Sequence, residues 1–259
     1  MLITSRDNPL IKETAALLKD KKLRKESGLF VAEGARLCSE AARSGAFVLR
    51  VFLTESARKT YAGYLSDLCD AAEEVYTVSD SVAEKLSDTK TPQGVFAVCR
   101  FAEKPVSFGE EGLFVLLSEL QDPGNLGTIL RTCEAMAVRG VLLCGCVDPF
   151  SPKALRSSMG CLFRLPVKVF STTAEALSLL REHGVTAYAS ALSTTAESLP
   201  SVCFSPRSAV LIGNEGNGLS AETIAACDHT VMIPMPGEAE SLNAASAAAI
   251  LIYSASQQR

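Results

Sequence analysis

The first hundred residues combine short apolar runs with segments whose apolar residues recur at helical spacing. Runs rich in apolar residues at 29–32, 47–53 and 95–99 predict strands. Apolar residues three and four positions apart predict helices over 10–23 and 61–73. Together these elements are typical of a small α/β domain. Further elements are predicted at 35–43 (helix), 75–78 (strand) and 82–86 (helical turn).

From residue 113 onward, apolar strands alternate regularly with helical segments. Such alternation predicts a parallel sheet covered by helices on both faces. Segment 101–112 is rich in Pro, Gly and charge, as linkers are. We therefore expect domains at 1–100 and 113–259, joined by a linker at 101–112. The predicted strands are 113–117, 140–143, 167–170, 186–191, 209–212 and 231–233; the predicted helices are 128–137, 153–159, 174–183, 221–226 and a last helix from Ala244.

The last predicted helix is apolar on nearly every face and carries no charge before Arg259. A helix of this kind is buried on nearly every face, either inside its own domain or against a second copy of the chain.

Composition indicates a globular protein, since 47% of the 259 residues are apolar. No apolar run could span a bilayer and the first residues lack a signal-peptide core, so we expect a cytoplasmic protein. Nine cysteines without a Cys-x-x-Cys pair favour reduced core thiols, with Cys144 and Cys146 on one strand. Two histidines, neither in a recognisable catalytic or ligand setting, give no basis for a metal site.

The net charge of −4 is unevenly distributed, because residues 1–60 carry a net +5 and the remainder a net −9. The densest basic stretch is 19–25, Lys-Asp-Lys-Lys-Leu-Arg-Lys. It fits a solvated helix face and a phosphate-contacting patch about equally well.

Three turns follow predicted strands and lead into helices. They span residues 121–131, 213–220 and 233–243. The carboxyl ends of strands in open α/β sheets are where ligands bind. The glycine order of the middle turn is Gly-x-x-Gly-x-Gly, which is not the dinucleotide-binding order. In the last turn, Ser241 and Asn243 stand where a helix begins, as caps do.

Two charged residues in these turns indicate a functional role in addition to a structural one. Arg131 lies near the start of its helix and off the apolar stripe, where the helix dipole disfavours a cation, so we expect an anionic partner. Glu215 stands among glycines and should anchor backbone N–H groups or a basic partner such as Arg131. The expected apolar stripe consists of Ile129, Leu130, Cys133, Met136 and Ala137.

The three turns resemble the ordered motifs of the SpoU (TrmH) family, S-adenosylmethionine-dependent RNA ribose 2′-O-methyltransferases of the SPOUT class. The matching residues are Asn125-x-Gly127-x-x-x-Arg131, Gly213-x-Glu215-x-x-Gly218-Leu219, Ile233-Pro234-Met235 and Ser241-Leu242-Asn243. The front half, with Asn8-Pro9 and the stretch 29–34, is similar to the RNA-binding substrate domain of the larger members. The resemblance implies a C-terminal trefoil knot and a homodimer.

Carried over by position, the resemblance implies a cofactor site and a catalytic site. Arg131 would act on the ribose 2′-hydroxyl, and Lys153, Arg156 and Ser157 are further candidates for phosphate contact. The residues implied to hold S-adenosylmethionine are Gly213, Gly218, Ile233, Met235 and Leu242. The residues implied to shape the catalytic site around Arg131 are Asn125, Glu215, Ser241 and Asn243.

Several interpretations remain open at the level of sequence. The favoured one is methylation of 23S rRNA. A tRNA 2′-O-methyltransferase and a non-catalytic RNA-binding protein are alternatives, and a nucleotide-dependent oxidoreductase is disfavoured by the glycine order. The sequence leaves the target nucleotide undetermined.

Overall fold

The computed structural model describes residues 2–101 and 104–258, so residues 102 and 103 of the predicted linker lie outside the described part. The chain divides into two compact units. The first contains residues 2–101 together with Phe150–Phe163, and the second contains residues 104–149 and 164–258. The sequence-based boundaries had assigned Phe150–Phe163 to the second domain.

The first unit is built on a mixed five-stranded sheet in the order β1-β4-β3-β5-β2. The β5 strand runs antiparallel to β2 and β3, whereas β4 pairs in parallel with β1 and β3. Apolar side chains of these strands and of the surrounding helices form the core. The strands are β1 (Leu2–Ile3), β2 (Leu29–Glu33), β3 (Phe47–Leu53), β4 (Ala72–Val78) and β5 (Val95–Arg100); the helices are α1 (Pro9–Lys19), α2 (Lys21–Ser27), α3 (Ala35–Arg43), α4 (Glu55–Thr60), α5 (Ala62–Ala71) and α6 (Asp80–Lys85).

The helix predicted over 10–23 is two helices, which meet at Asp20. The Asp20 side chain accepts hydrogen bonds from the N–H groups of Lys22 and Leu23, so it caps α2 and ends α1. In the basic stretch 19–25, Arg24 is only 4% exposed and donates to the Leu17 carbonyl. This arginine therefore stabilises the folded structure, while the lysines around it remain on the surface.

The second unit contains a seven-stranded sheet in the order β10-β12-β9-β11-β6-β7-β8, in which every neighbouring pair is parallel. The prediction of a parallel α/β sheet is confirmed. Every residue of β6 is buried, as expected of a central strand covered on both faces. The strands are β6 (Gly112–Ser118), β7 (Gly140–Cys144), β8 (Val167–Phe170), β9 (Thr186–Ser190), β10 (Glu197–Ser198), β11 (Arg207–Ile212) and β12 (His229–Met232).

The helices of the second unit connect these strands. Helix α7 begins at Pro123, five residues earlier than predicted, because Asp122 caps it and proline suits the first helical position. Met136 and Ala137 were expected on its apolar stripe, but the helix ends at Ala135 and Ala137 has a φ of 52°. The remaining helices are α9 (Thr173–Glu182), α10 (Ala221–Ala225) and α11 (Ala244–Ser256), and α8 (Pro152–Ser158) belongs to the first unit.

Helix α11 is buried on one face and exposed on another. Ala248 and Ile252 are fully buried, whereas Ile250 and Tyr253 are 41% and 56% exposed. The prediction allowed burial inside its own domain or against a second copy, and its own domain covers one face of the helix.

All nine cysteines are free thiols, and five of them are buried. Burial raises the pKa of Cys99 to about 12. Cys144 is the last residue of β7, and Cys146 lies beyond the end of that strand. Cys203 is exposed, so the expectation of core thiols fails for this residue. Across the described residues, no helix has the length and apolarity that a membrane span requires.

Candidate active site

The three predicted turns lie at the carboxyl ends of parallel strands. Residues 119–122 follow β6, residues 213–219 follow β11, and the chain from Ile233 onward follows β12. Because β6 and β11 are neighbours and β9 separates β11 from β12, the three segments share one edge of the sheet.

Glu215 joins the second turn to the first. Its carboxylate accepts hydrogen bonds from the backbone N–H groups of Gln121 (3.1 Å) and Asp122 (2.9 Å). It also accepts from the side-chain amide of Asn125, at 3.2 Å. The prediction that Glu215 anchors N–H groups is confirmed, and this role replaces the alternative pairing with Arg131.

The pKa of Glu215 reflects these contacts. Partial burial would by itself raise the pKa of the carboxyl, but hydrogen bonds from backbone N–H groups, chiefly those of Asp122 and Gln121, lower it below its ordinary value. Glu215 is therefore ionised at neutral pH.

Asn243 joins the third turn to the first. Its side-chain oxygen accepts from Ala245 N–H at 2.9 Å and caps α11, as predicted. Its side-chain amide donates to Asn125 Oδ1 at 3.0 Å. Asn125 thus lies between Glu215 and Asn243, and these three side chains connect all three turns.

The second turn is held by Asn214 as well as by its glycines. Asn214 donates to the Glu119 carbonyl at 2.9 Å and accepts from the N–H groups of Gly216 and Asn217. A methyl group at Gly213 would overlap the backbone of Gly218, which itself has a φ of 67°. Sequence reasoning did not single out Asn214, although its place beside Glu215 in a glycine-rich turn was visible.

A cleft of about 390 Å³ opens between the second and third turns. This volume lies within the range of small-molecule sites. All of the predicted cofactor residues line the cleft, as do two residues of the predicted catalytic group. The predicted residues on its walls are Gly213, Gly218, Ile233, Met235, Leu242, Glu215 and Ser241.

The walls of this cleft combine apolar side chains with exposed backbone. Ile212, Leu219 and Leu251 provide apolar surface. From Ile233 onward the chain has left the sheet ladder, so its backbone groups are available to a ligand. Such walls suit S-adenosylmethionine, which has a flat base and polar edges that hydrogen-bond to backbone.

One part of the cleft was not predicted. Residues 190–192 follow β9 and line the cleft, and Leu192 is 64% exposed at its mouth. The segment carries no glycine or charge that would have marked it. The signal available was its position at the end of a strand adjacent to β11 and β12.

Arg131 is exposed on α7 and is absent from the residues that line the cleft. Among the described residues, no hydrogen bond or ion pair of its guanidinium is found. Arg156, by contrast, pairs with Glu33 (3.4 Å) and Asp88 (2.7 Å) within the first unit. The guanidinium of Arg156 is thus occupied by two carboxylates, whereas Arg131 is available to an anion.

Comparison with known protein families matches both halves of the chain. Residues 112–253 match the SpoU rRNA Methylase family, and residues 8–97 match the MRM3-like substrate binding domain.

Individual relatives match either nearly the whole chain or only part of it. The 23S rRNA (guanosine(2553)-2′-O)-methyltransferase of Bacillus subtilis is 35% identical over 254 residues, covering 97% of this chain and 97% of that enzyme. The tRNA (guanosine(18)-2′-O)-methyltransferase of Thermus thermophilus is 38% identical, but over 57% of this chain and 75% of that enzyme. A crystal structure of an AdoMet-bound rRNA methyltransferase from Sinorhizobium meliloti superposes with a TM-score of 0.87 at 29% identity, covering 99% of this chain and 97% of that one.

Proposed function

The chain belongs to the SpoU rRNA methylase family, and we propose that it transfers a methyl group from S-adenosylmethionine to a ribose 2′-hydroxyl of 23S rRNA. The observation that carries this proposal is the connection of Asn125, Glu215 and Asn243 beside the cleft. It brings the three turns of the family motifs to one place at the edge of the sheet.

The cofactor would be held by the residues that line the cleft. Gly213, Gly218, Ile233, Met235 and Leu242 offer backbone groups and close approach. When bound, S-adenosylmethionine supplies a methyl group on a positively charged sulfur. The chain itself must position a 2′-hydroxyl oxygen in line with that methyl group and exclude water from the cleft.

Arg131 would stabilise the charge that develops on the ribose oxygen. A guanidinium keeps its proton near neutral pH, so Arg131 acts as a cation and hydrogen-bond donor rather than as a base. Glu215 and Asn243 hold the backbone of the turns and are joined through the side chain of Asn125, and Ser241 lines the cleft beside them.

The choice of 23S rRNA over tRNA rests on the first unit. The Bacillus subtilis rRNA enzyme is matched along nearly its whole length, including the region of the substrate-binding domain. The match to the Thermus tRNA enzyme spans little more than half of this chain. We assign substrate binding to residues 1–100, the linker to 101–112 and catalysis to 113–259.

We further propose that the protein acts in the cytoplasm as a homodimer with a knotted C-terminal domain. The exposed apolar face of α11 supports the dimer. Ile250 and Tyr253 line a groove of about 620 Å³ with Leu199 and Pro200. Burial of this groove against a second copy would remove apolar surface from water.

The test is tritium transfer from labelled S-adenosylmethionine to bacterial RNA separated by size. Wild-type protein should label large-subunit rRNA. Arg131→Lys retains the charge but loses the planar fork, and it should lose most of the activity while cofactor binding persists. Wild-type turnover in Arg131→Lys would contradict the assigned role, label in tRNA would overturn the substrate, and no label with bound cofactor would favour a non-catalytic RNA-binding protein.

A further inference from the structure

Three cations of the first unit converge on one exposed carboxylate. Arg6 precedes α1, Lys12 lies on α1, and Lys85 is the last residue of α6. Lys85 Nζ donates to the Arg6 carbonyl at 2.6 Å, and Lys12 Nζ lies 2.9 Å from Asp7 Oδ1. Lys12 lowers the pKa of Asp7 through its hydrogen bond and its charge, and the charges of Lys85 and Arg6 lower it further. Residues far apart in sequence thus share one small surface.

The balance of charge at this surface differs from that around three other arginines of the first unit. Arg43 faces one carboxylate, and Arg50 and Arg156 each face two. Among the described residues, Asp7 is the one carboxylate found in an ion pair with Arg6, Lys12 or Lys85, and its side chain is 83% exposed. The balanced pairs are Arg43 with Asp67, Arg50 with Glu13 and Glu74, and Arg156 with Glu33 and Asp88.

Helix α1 extends this positive surface. Lys12 and Lys19 are seven residues apart and both exposed, so they lie on the same face of the helix about 10 Å from each other. Arg6, Lys12, Lys19 and Lys85 together form what we term the α1 basic surface. Arg24, although close in sequence, is buried and does not contribute.

We propose that the α1 basic surface binds the phosphate backbone of the RNA substrate. The proposal rests on the proposed function, since it takes RNA as the substrate. Three of its four contact groups are lysine ammonium groups, which act as point charges, so it would chiefly neutralise phosphates rather than read base identity. Residues 8–97 match a substrate-binding domain, and Lys12, Lys19 and Lys85 fall within them.

The test compares two triple variants that lose the same charge. Arg6→Gln/Lys12→Gln/Lys85→Gln removes the cations around Asp7, and Arg43→Gln/Lys59→Gln/Lys168→Gln removes three exposed cations elsewhere. Binding to transcribed 23S rRNA is measured over a series of salt concentrations. Because each phosphate contact contributes about 0.7–0.9 to the slope of log K against log salt, the first variant should lose about 2 in slope. We expect it to bind at least about tenfold more weakly at low salt.

Binding of S-adenosylmethionine should be the same in both variants, which shows that the second unit is intact. Equal affinity and salt slope in the two triple variants would overturn the proposal. Because Lys85 also holds the Arg6 carbonyl, Lys12→Gln/Lys19→Gln provides a second measurement that leaves this contact in place. It should lose about 1–2 in slope if the surface binds phosphate.

Asp7→Asn makes the opposite change at the same surface. Removal of the single carboxylate should raise RNA affinity and steepen the salt dependence, an effect that misfolding cannot produce. Unchanged or weaker binding would count against the α1 basic surface. These binding results do not depend on methyl transfer, so a failure of the proposed activity would appear separately, as an absence of tritium transfer by the wild-type protein.

Discussion

At the scale of single residues, the carboxylate of Glu215 organises the site. A carboxylate can accept several hydrogen bonds at once, and Glu215 uses this capacity to hold two backbone N–H groups at the start of α7 and the amide of Asn125. Negative charge at a helix N-terminus is also favoured by the helix dipole.

The lowered pKa of Glu215 predicts how stability depends on pH. A carboxyl with a depressed pKa in the folded state stabilises the protein fully above its ordinary pKa, near 4.5, and loses this contribution as the pH falls through the folded value. Glu215→Gln should therefore lower Tm by about 2–4 °C at pH 6, with a smaller difference at pH 4 and below. Thermal unfolding across this range checks the prediction, and a difference that grows on acidification would contradict it.

The sequence predicted which residues form the site, but it did not predict the contacts that Asn125 and Asn243 make with each other. The sequence marked Asn243 as a helix-start residue, and an amide at such a position is ordinarily a cap. Asn243 is the cap, whereas Asn125 lies within α7 and receives the amide of Asn243. Contacts over 118 positions of sequence depend on how the turns meet, which local pattern does not specify.

At the scale of elements, two glycines of the second turn differ in the space that surrounds them. Backbone bonds join Asn214 to Gly218 in both directions and close the turn tightly. Gly213 is packed against Gly218, but a methyl group at Gly216 would come no closer than 3.5 Å to Asn214 Oδ1.

This difference predicts unequal effects of the same substitution. Gly213→Ala should disrupt the turn and weaken S-adenosylmethionine binding by at least about tenfold, a loss of about 1.4 kcal/mol. Gly216→Ala should bind nearly as wild type does, since its methyl group has room. Calorimetric titration of both variants tests the prediction, and equal losses would show that the close packing of Gly213 is not what matters.

The spacing of apolar residues predicted most helices and strands, and the errors have local causes. The break between α1 and α2 depends on Asp20, whose side chain competes for backbone N–H groups, although the apolar spacing continues through it. The early start of α7 was signalled by Asp122 and Pro123, which were assigned to a turn. Pairing of β10 with β12 involves two residues and leaves almost no trace in the sequence.

At the scale of the whole molecule, the apolar face of α11 predicts association. Tyr253→Glu should place a charge in the groove beside this helix and shift the protein from dimer to monomer. Sedimentation velocity measures the change. Val169→Glu, at a residue of edge strand β8 that is 66% exposed, provides a matched control that should leave the association state unchanged. A dimer that persists in Tyr253→Glu would place the interface elsewhere.

The division into units was the least predictable property of the chain. Phe150–Phe163 lies within the span that matches the methylase family, yet it packs in the first unit. The rings of Phe150 and Phe163 pack against Phe30, at 5.2 and 5.5 Å between centroids, and Arg156 pairs with Glu33. Such contacts depend on tertiary structure, so a boundary drawn from composition alone could not anticipate them.

The exposure of Cys203 makes one position of the chain suitable for selective labelling. The other cysteines are buried or half-buried, so a maleimide dye would react with Cys203 before it reached them. The neighbouring residue, Phe204, donates its N–H to Gln258, which lines the groove beside α11. A fluorophore on Cys203 would therefore report, through its emission, when that groove is covered.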